Sequence, residues 1–339
     1  MRHLMLISDA ESTCGVEEFA RQTAARVGAA TAPLGAPLDG TDDLVINLPI
    51  VAWKKRLLAP VAAAFRARMS GKAVTVILHE WADLALARRI AYLPLLPLAT
   101  RLLFSSPEVR AQFEATPLSR IVTKARRVIP IPPNFAVPDW VATSPLSESL
   151  AADRASGRLV LGQFGSIYPR KDPALLLEVA AELVRRGNDP RVVFIGSFVG
   201  EAVEEEFWDE VAQLGLAGRV EVTGYVKSAA ELYGLFAQID VFLYPLSEGM
   251  TSRRASVQAA ALSGRPVIVT APARPDSLAH HGLLKALVAA GVIQFVPRGA
   301  DASGLADAVL AARHMPVKPV AVTREIDGVW RDVAAALDA

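Results

Sequence analysis

Cysteine is almost absent: the 339 residues contain one, Cys14. An internal disulfide is therefore excluded. The five histidines are scattered and offer no zinc-ligand spacing. A reducing cytosol suits such a chain. An excess of one charge is lacking too. Lys and Arg number 36, Asp and Glu 35, so no global field recruits nucleic acid. Long apolar runs are missing. The longest, Ile90 to Phe104, is broken by Pro94, Pro97 and Arg101 and falls short of the roughly 20 residues a membrane span needs. Met1 to Asp9 is too short an apolar run for a signal peptide and reads as a first strand. No Asp-x-Asp stands at a strand end, so no metal or other cofactor is expected. Repeats and low-complexity tracts are absent. What remains is an apolar chain (52%) with ordinary charge (21%), too ordered in composition for disorder and too long for one core.

Short β-rich runs alternate with helical ones, the pattern of parallel sheets with crossover helices. In the first half the strands are Leu4–Ile7, Leu44–Asn47, Val74–Leu78, Arg101–Phe104 and Arg127–Ile131, with helices at 16–27 and 57–69. Pro130, Pro132 and Pro133 stop regular structure. Residues 136–158 are rich in Pro, Ser and Ala and read as a linker. The pattern then restarts with strands at 159–163, 192–195, 220–222, 241–244 and 266–270, and it closes on an amphipathic helix at 322–337 carrying Trp330. The expectation is an α/β protein of two Rossmann-like domains facing across a cleft. They divide as 1–150 and 151–318, with a terminal helix at 319–339 crossing back to the first domain.

Two segments carry chemistry. In the first, the strand Leu161-Gly162-Gln163 leads through Gly165 and Ser166 to Arg170-Lys171 and then a helix. Gly165 permits close backbone approach to a ligand, and the cations suit a diphosphate. A tight turn with two solvated cations fits the same residues. In the second, the strand Val241–Tyr244 feeds Ser247-Glu248-Gly249-Met250-Thr251-Ser252, then Arg253-Arg254 at the start of a helix that ends at Gly264. Loop amides at a helix start bind anions. Cations are disfavoured there by the helix dipole, so an arginine pair calls for an anionic ligand. His79-Glu80 ends a strand; a lone histidine there is a satisfied structural group as readily as a catalyst. His280-His281 fall in a loop and are expected to be solvated. Lys54-Lys55-Arg56, Arg66 and Arg68 mark either a solvated helix face or a contact with anionic lipid.

From about Leu159 to Ala271 these segments resemble the second domain of family 4 glycosyltransferases, which have the GT-B fold. Phe164-Gly165-Ser166-Ile167-Tyr168-Pro169-Arg170-Lys171-Asp172 resembles the opening phosphate loop. Gly196 resembles the next strand-end glycine, Val222-Thr223-Gly224-Tyr225-Val226 the segment lining the base, and Leu262–Ile268 the closing helix and strand. The first half resembles the family more weakly, through Gly15-Val16-Glu17-Glu18 after Cys14, where the family has Gly-Gly-Val-Glu and Cys14 replaces the first glycine, through His79, and through Ser105-Ser106. One departure is clear. The family pattern of two glutamates eight positions apart, the second gripping ribose, is broken: Glu248 is followed by Ser256. The loop resembles instead a subgroup reading Ser-x-Arg-Arg-x-Ser.

The resemblance implies a retaining transfer of a sugar from a UDP- or GDP-linked donor to a glycan or lipid-linked acceptor, in cell-envelope or exopolysaccharide synthesis. It implies phosphate or catalytic roles for His79, Lys171, Arg253 and Arg254. Donor contacts are implied for Gly165, Ser166, Arg170, Gly196, Tyr225, Val226, Ser247, Glu248, Gly249, Met250, Thr251, Ser252 and Ser256. The acceptor side would include Cys14, Gly15 and Glu80. No nucleic-acid partner is expected, and the location implied is the cytoplasm, with a peripheral contact at the inner membrane face. A sugar-nucleotide epimerase and a non-catalytic sugar-nucleotide or glycan-binding module use similar residues and remain open at this point.

Overall fold

The structure, a computed structural model, describes residues 1–9, 14–120, 122, 125–316 and 322–339. The first sheet contains β1 (His3–Leu6), β2 (Ala30–Ala32), β3 (Asp43–Leu48), β4 (Ala73–Leu78), β5 (Arg101–Phe104) and β6 (Ala125–Val128), in the order β2-β1-β3-β4-β5-β6. The second contains β7 (Leu159–Phe164), β8 (Pro190–Ile195), β9 (Val220–Val222), β10 (Val241–Tyr244), β11 (Val267–Thr270) and β12 (Ile293–Val296), in the order β12-β11-β10-β7-β8-β9. Every strand pairing is parallel. Central strands such as β3 and β10 are buried on both faces, β10 wholly apolar and β3 apolar but for Asp43 and Asn47, because crossover helices cover each side. The two Rossmann-like sheets are the GT-B arrangement.

Strand order places the clefts. In the second sheet the chain winds one way from β7 and the other way from β10. The loops leaving these neighbours diverge and open a crevice beyond their carboxyl ends. In the first sheet the corresponding point lies between β1 and β3. Helix Gly15–Val27 starts beside it, and Gly15 and Pro49 line one cavity there.

Helix Thr323–Asp338 packs against both helix Gly15–Val27 and helix Gly282–Ala289. Val329 joins the core of the second half, while Val333, Ala336 and Leu337 join that of the first. At its end, Asp338 and Asp43 hold the two ring nitrogens of His3 at 3.1 and 2.9 Å. The expected boundary at 318 and 319 lies outside the described residues.

The expected linker at 136–158 contains a helix, Pro145–Ala155. Ser144 caps it with Pro145 at the first position, and Leu150 buries itself in the core of the second half. Strand β6 ends at Val128, short of the expected Ile131, because Pro130 has no N–H to offer a ladder. The three-residue β2 carries no apolar run, so its composition does not single it out.

Candidate functional site

The site grows from the loops after β7, β8 and β10. Beyond Phe164, Gly165 turns with φ of 99°. A Cβ there would stand 2.5 Å from the Lys171 Nζ and 3.0 Å from the Ser256 Cβ. After β8, a Cβ on Gly196 would lie 2.4 Å from the Gly165 carbonyl oxygen. Two glycines thus let two loops stack backbone on backbone and form a thin floor.

Lys171 ends a short turn of 3-10 helix and is only 4% exposed. Its Nζ donates to the Phe164 carbonyl at 2.9 Å. Burial, and secondly the Arg254 guanidinium, lower its pKa to about 7. Loops from two different strands therefore bring cations to one place, at a cost in charge repulsion that an anion would relieve.

The arginine pair divides. Arg254 donates to the Tyr168 hydroxyl, and to Glu248 at 3.2 Å, within the second half. Arg253 crosses the cleft and donates to the His79 carbonyl at 2.9 Å. Arg170 bridges Asp83 of the first half at 3.3 Å and Glu248 at 3.2 Å, and Arg253 lies 3.9 Å from Asp83. Three arginines and two carboxylates therefore form a chain of charges across the cleft.

His79 is enclosed. Its Nε2 meets the Asn47 Oδ1 at 3.0 Å, and its ring stands edge-on to Phe19 at 5.1 Å. Burial, then the Arg253 charge, lower its pKa to about 3. The ring is neutral near pH 7. With the Asn47 oxygen as partner, its Nε2 carries the hydrogen and its Nδ1 is left as an acceptor.

Two adjoining cavities result, of about 670 and 610 Å³. His79, Glu80, Arg170 and Glu248 line the first. Gly165, Lys171, Gly196, Tyr225, Val226 and Ser256 line the second. Cys14, Gly15, Ser166, Arg253 and Arg254 line both. Ser247, Gly249, Met250, Thr251 and Ser252 line neither. Met250 is in the core of the second half, and the Ser252 hydroxyl reaches the Ser105 carbonyl at 3.4 Å, tying the halves together. A larger cavity of about 820 Å³ opens beside Arg26, Ile326 and Trp330, and among the described residues Arg26 is the one cation that lines it.

One expectation is overturned. His281 is fully buried, not solvated. It caps helix Gly282–Ala289 and its Nε2 meets the Ile131 carbonyl at 2.9 Å. Gln258 donates to that same carbonyl at 2.9 Å, so a polar clasp holds the segment joining the halves. The sequence reading gave no site role to Glu18, Asp83, Asn134, Tyr168 or Lys227, all of which line the cleft, although Glu18 and Tyr168 stand inside motifs it quoted. Asp83 and Lys227 follow strands β4 and β9 by five residues, so the strand-end rule pointed to both. Glu18 ends the turn motif after Cys14, but nothing local marks it rather than Glu17, and nothing local marks Asn134.

Residues 158–313 match the family model described as Glycosyl transferases group 1, so the second half carries a glycosyltransferase domain. No curated protein matches the sequence significantly. Among solved structures, Anabaena Alr3699/HepE in complex with UDP is similar over 100% of both chains, with a TM-score of 0.68 and 15% identity. Sucrose-phosphate synthase from Thermosynechococcus elongatus is similar over 100% of this chain and 97% of its own, with a TM-score of 0.65 and 16% identity. WaaG, a glycosyltransferase involved in lipopolysaccharide biosynthesis, covers 99% and 95%, with a TM-score of 0.56 and 15% identity. At these identities the likeness is one of fold.

Proposed function

We propose that the protein transfers a sugar from a UDP- or GDP-linked donor to a glycan or lipid-linked acceptor, with retention, in cell-envelope or exopolysaccharide synthesis. The observation that carries this reading is the convergence of buried Lys171 and Arg254 from the loops after β7 and β10, beside the Gly165–Gly196 floor. The bound UDP of the Anabaena structure supports a nucleotide in the equivalent fold.

As the bond from the anomeric carbon to the diphosphate breaks, negative charge grows on the leaving oxygen. Lys171, Arg254 and the loop amides are already fixed around it and need not reorganise. The cleft half lined by His79, Glu80 and Asp83 holds the acceptor hydroxyl. With a pKa near 3, the His79 ring is a weak base at neutral pH. Its role is to orient the hydroxyl. The proton of that hydroxyl passes to the departing phosphate oxygen on the same face of the sugar, where the new bond forms, and configuration is retained. The cations do the charge work a metal would otherwise do, so transfer should survive chelation.

The reading includes a peripheral membrane contact through Lys54, Lys55 and Arg56. It is tested first by donor binding and turnover in Lys171→Ala and Arg254→Ala, against Arg185→Ala. Arg185 is exposed and, among the described residues, pairs with Glu182 alone. Losses of at least tenfold in both site variants, absent in the control, are expected. Equal behaviour of all three would refute the phosphate site.

A further inference from the structure

Among the described residues lining the donor cavity of about 610 Å³, one carboxylate is present, and it belongs to the opposite half: Glu18, on helix Gly15–Val27. The walls otherwise offer cations (Lys171, Lys227, Arg253, Arg254), single hydroxyls on serines and tyrosines such as Ser166, Ser197 and Ser256, and the Asn134 amide. Cations answer phosphates. A ribose presents a vicinal diol, two O–H donors side by side, and a carboxylate with two oxygens is the side chain that accepts from both. Ser256, a hydroxyl beside the floor, offers one oxygen and no charge, as each of the others does.

The neighbouring glutamate shows that Glu18 is set apart. Glu17 turns inward and is consumed by the fold: it accepts from the Ser8 amide and hydroxyl, and from Arg21 at 2.8 Å. Glu18 turns to the cavity. One of its oxygens accepts from the Gln22 amide at 2.8 Å, and the same amide donates to the Asn134 carbonyl at 2.8 Å. Gln22 thus aims the carboxylate from the segment that joins the halves. The other oxygen accepts no hydrogen bond from the described residues.

We propose that Glu18 binds the ribose diol of the nucleoside diphosphate, so that the donor is gripped by both halves at once. Arg254 and Lys171 hold its phosphates from one side, and Glu18 holds its sugar ring from the other. Donor binding then draws the cleft closed, since neither half alone completes the site. This inference rests on the nucleotide-sugar reading above.

The experiment measures calorimetric affinities of UDP, GDP and ADP, then of the 2′,3′-dideoxy form of whichever binds most tightly, and of inorganic pyrophosphate. The wild-type protein should favour the ribose form by about tenfold or more, the range of a charge-assisted hydrogen bond. Glu18→Ala should compress that preference to within about twofold. Pyrophosphate should bind it as well as the wild type or better, because a negative charge has left an anion pocket. Glu18→Asp, one methylene shorter, should fall between. If Glu18→Ala keeps the full ribose preference, or weakens pyrophosphate as much as nucleotide, the assignment of Glu18 is wrong while the nucleotide site stands. If the wild type binds none of the three nucleotides, the nucleotide-sugar reading itself fails and this inference with it.

Discussion

In the proposed site Lys171 takes the ordinary role of a phosphate-binding cation in an unusual setting. Its pKa of about 7, against 10.5 for a free lysine, means that the empty site holds it half-charged at neutral pH. A bound diphosphate favours the ammonium and raises the pKa again. Below pH 7 the charge is present before the ligand arrives, and affinity is level. Above it, binding must take up a proton, so affinity falls as pH rises, approaching tenfold per unit. Calorimetry from about pH 6 to 9 should show this slope, and Lys171→Arg, which stays charged, should flatten it. An equally steep fall in the arginine variant would locate the titration elsewhere. For stability the sign is opposite. Between about 7 and 10.5 the unfolded chain binds the proton and the folded one does not, so this group makes the empty protein more stable as pH rises.

At the scale of elements, the floor of the site is a contact between two loops rather than any one side chain. Its tolerance is set by Gly196, where an added Cβ would meet the Gly165 carbonyl oxygen at 2.4 Å. That neighbour is backbone and has nowhere to swing. Gly196→Ala should cost about 1–3 kcal/mol in denaturant unfolding and lower nucleotide affinity about tenfold or more. Gly200→Ala is the control, since a Cβ there meets nothing within 4 Å. Unchanged affinity in Gly196→Ala would mean that the floor takes no part in binding. This element was half legible. Strand-end glycines announce a ligand loop, but that the two loops touch follows only from the pairing of β7 with β8.

On the whole molecule, one face of the first half is outwardly apolar and basic. Leu58, Phe65 and Met69 recur at helical spacing and are 64%, 54% and 72% exposed. Lys54, Lys55, Arg56, Arg66 and Arg68 flank them, also exposed. Apolar anchors ringed by cations are the composition of a surface that sits in a headgroup layer, and no helix among the described residues is long and apolar enough to cross a membrane. Flotation with anionic vesicles should therefore be salt-sensitive. Lys54→Glu, Lys55→Glu and Arg56→Glu together should abolish it, since each cation contributes about 1 kcal/mol. Flotation indifferent to salt and to anionic lipid would argue against a peripheral contact.

The fold class was legible because parallel sheets covered on both sides demand largely apolar strands at regular spacing, and this chain supplies them from Leu44 to Val269. The segments that line the cleft stood out for a related reason: glycine at a strand end and arginine at a helix start are costly without a ligand, so they mark themselves locally. Tertiary structure alone decided what happens between the halves. Nothing in the dipeptide Arg253-Arg254 says that one member stays with its own loop while the other crosses to the His79 carbonyl. Nor does Glu17-Glu18 say which glutamate the fold consumes and which it aims into the cleft. Adjacent side chains at a helix start point in different directions. Which direction meets the core and which meets the cavity depends on where the other sheet lies, and that is set by contacts more than a hundred residues apart, such as Gln22 with Asn134 and His281 with Ile131.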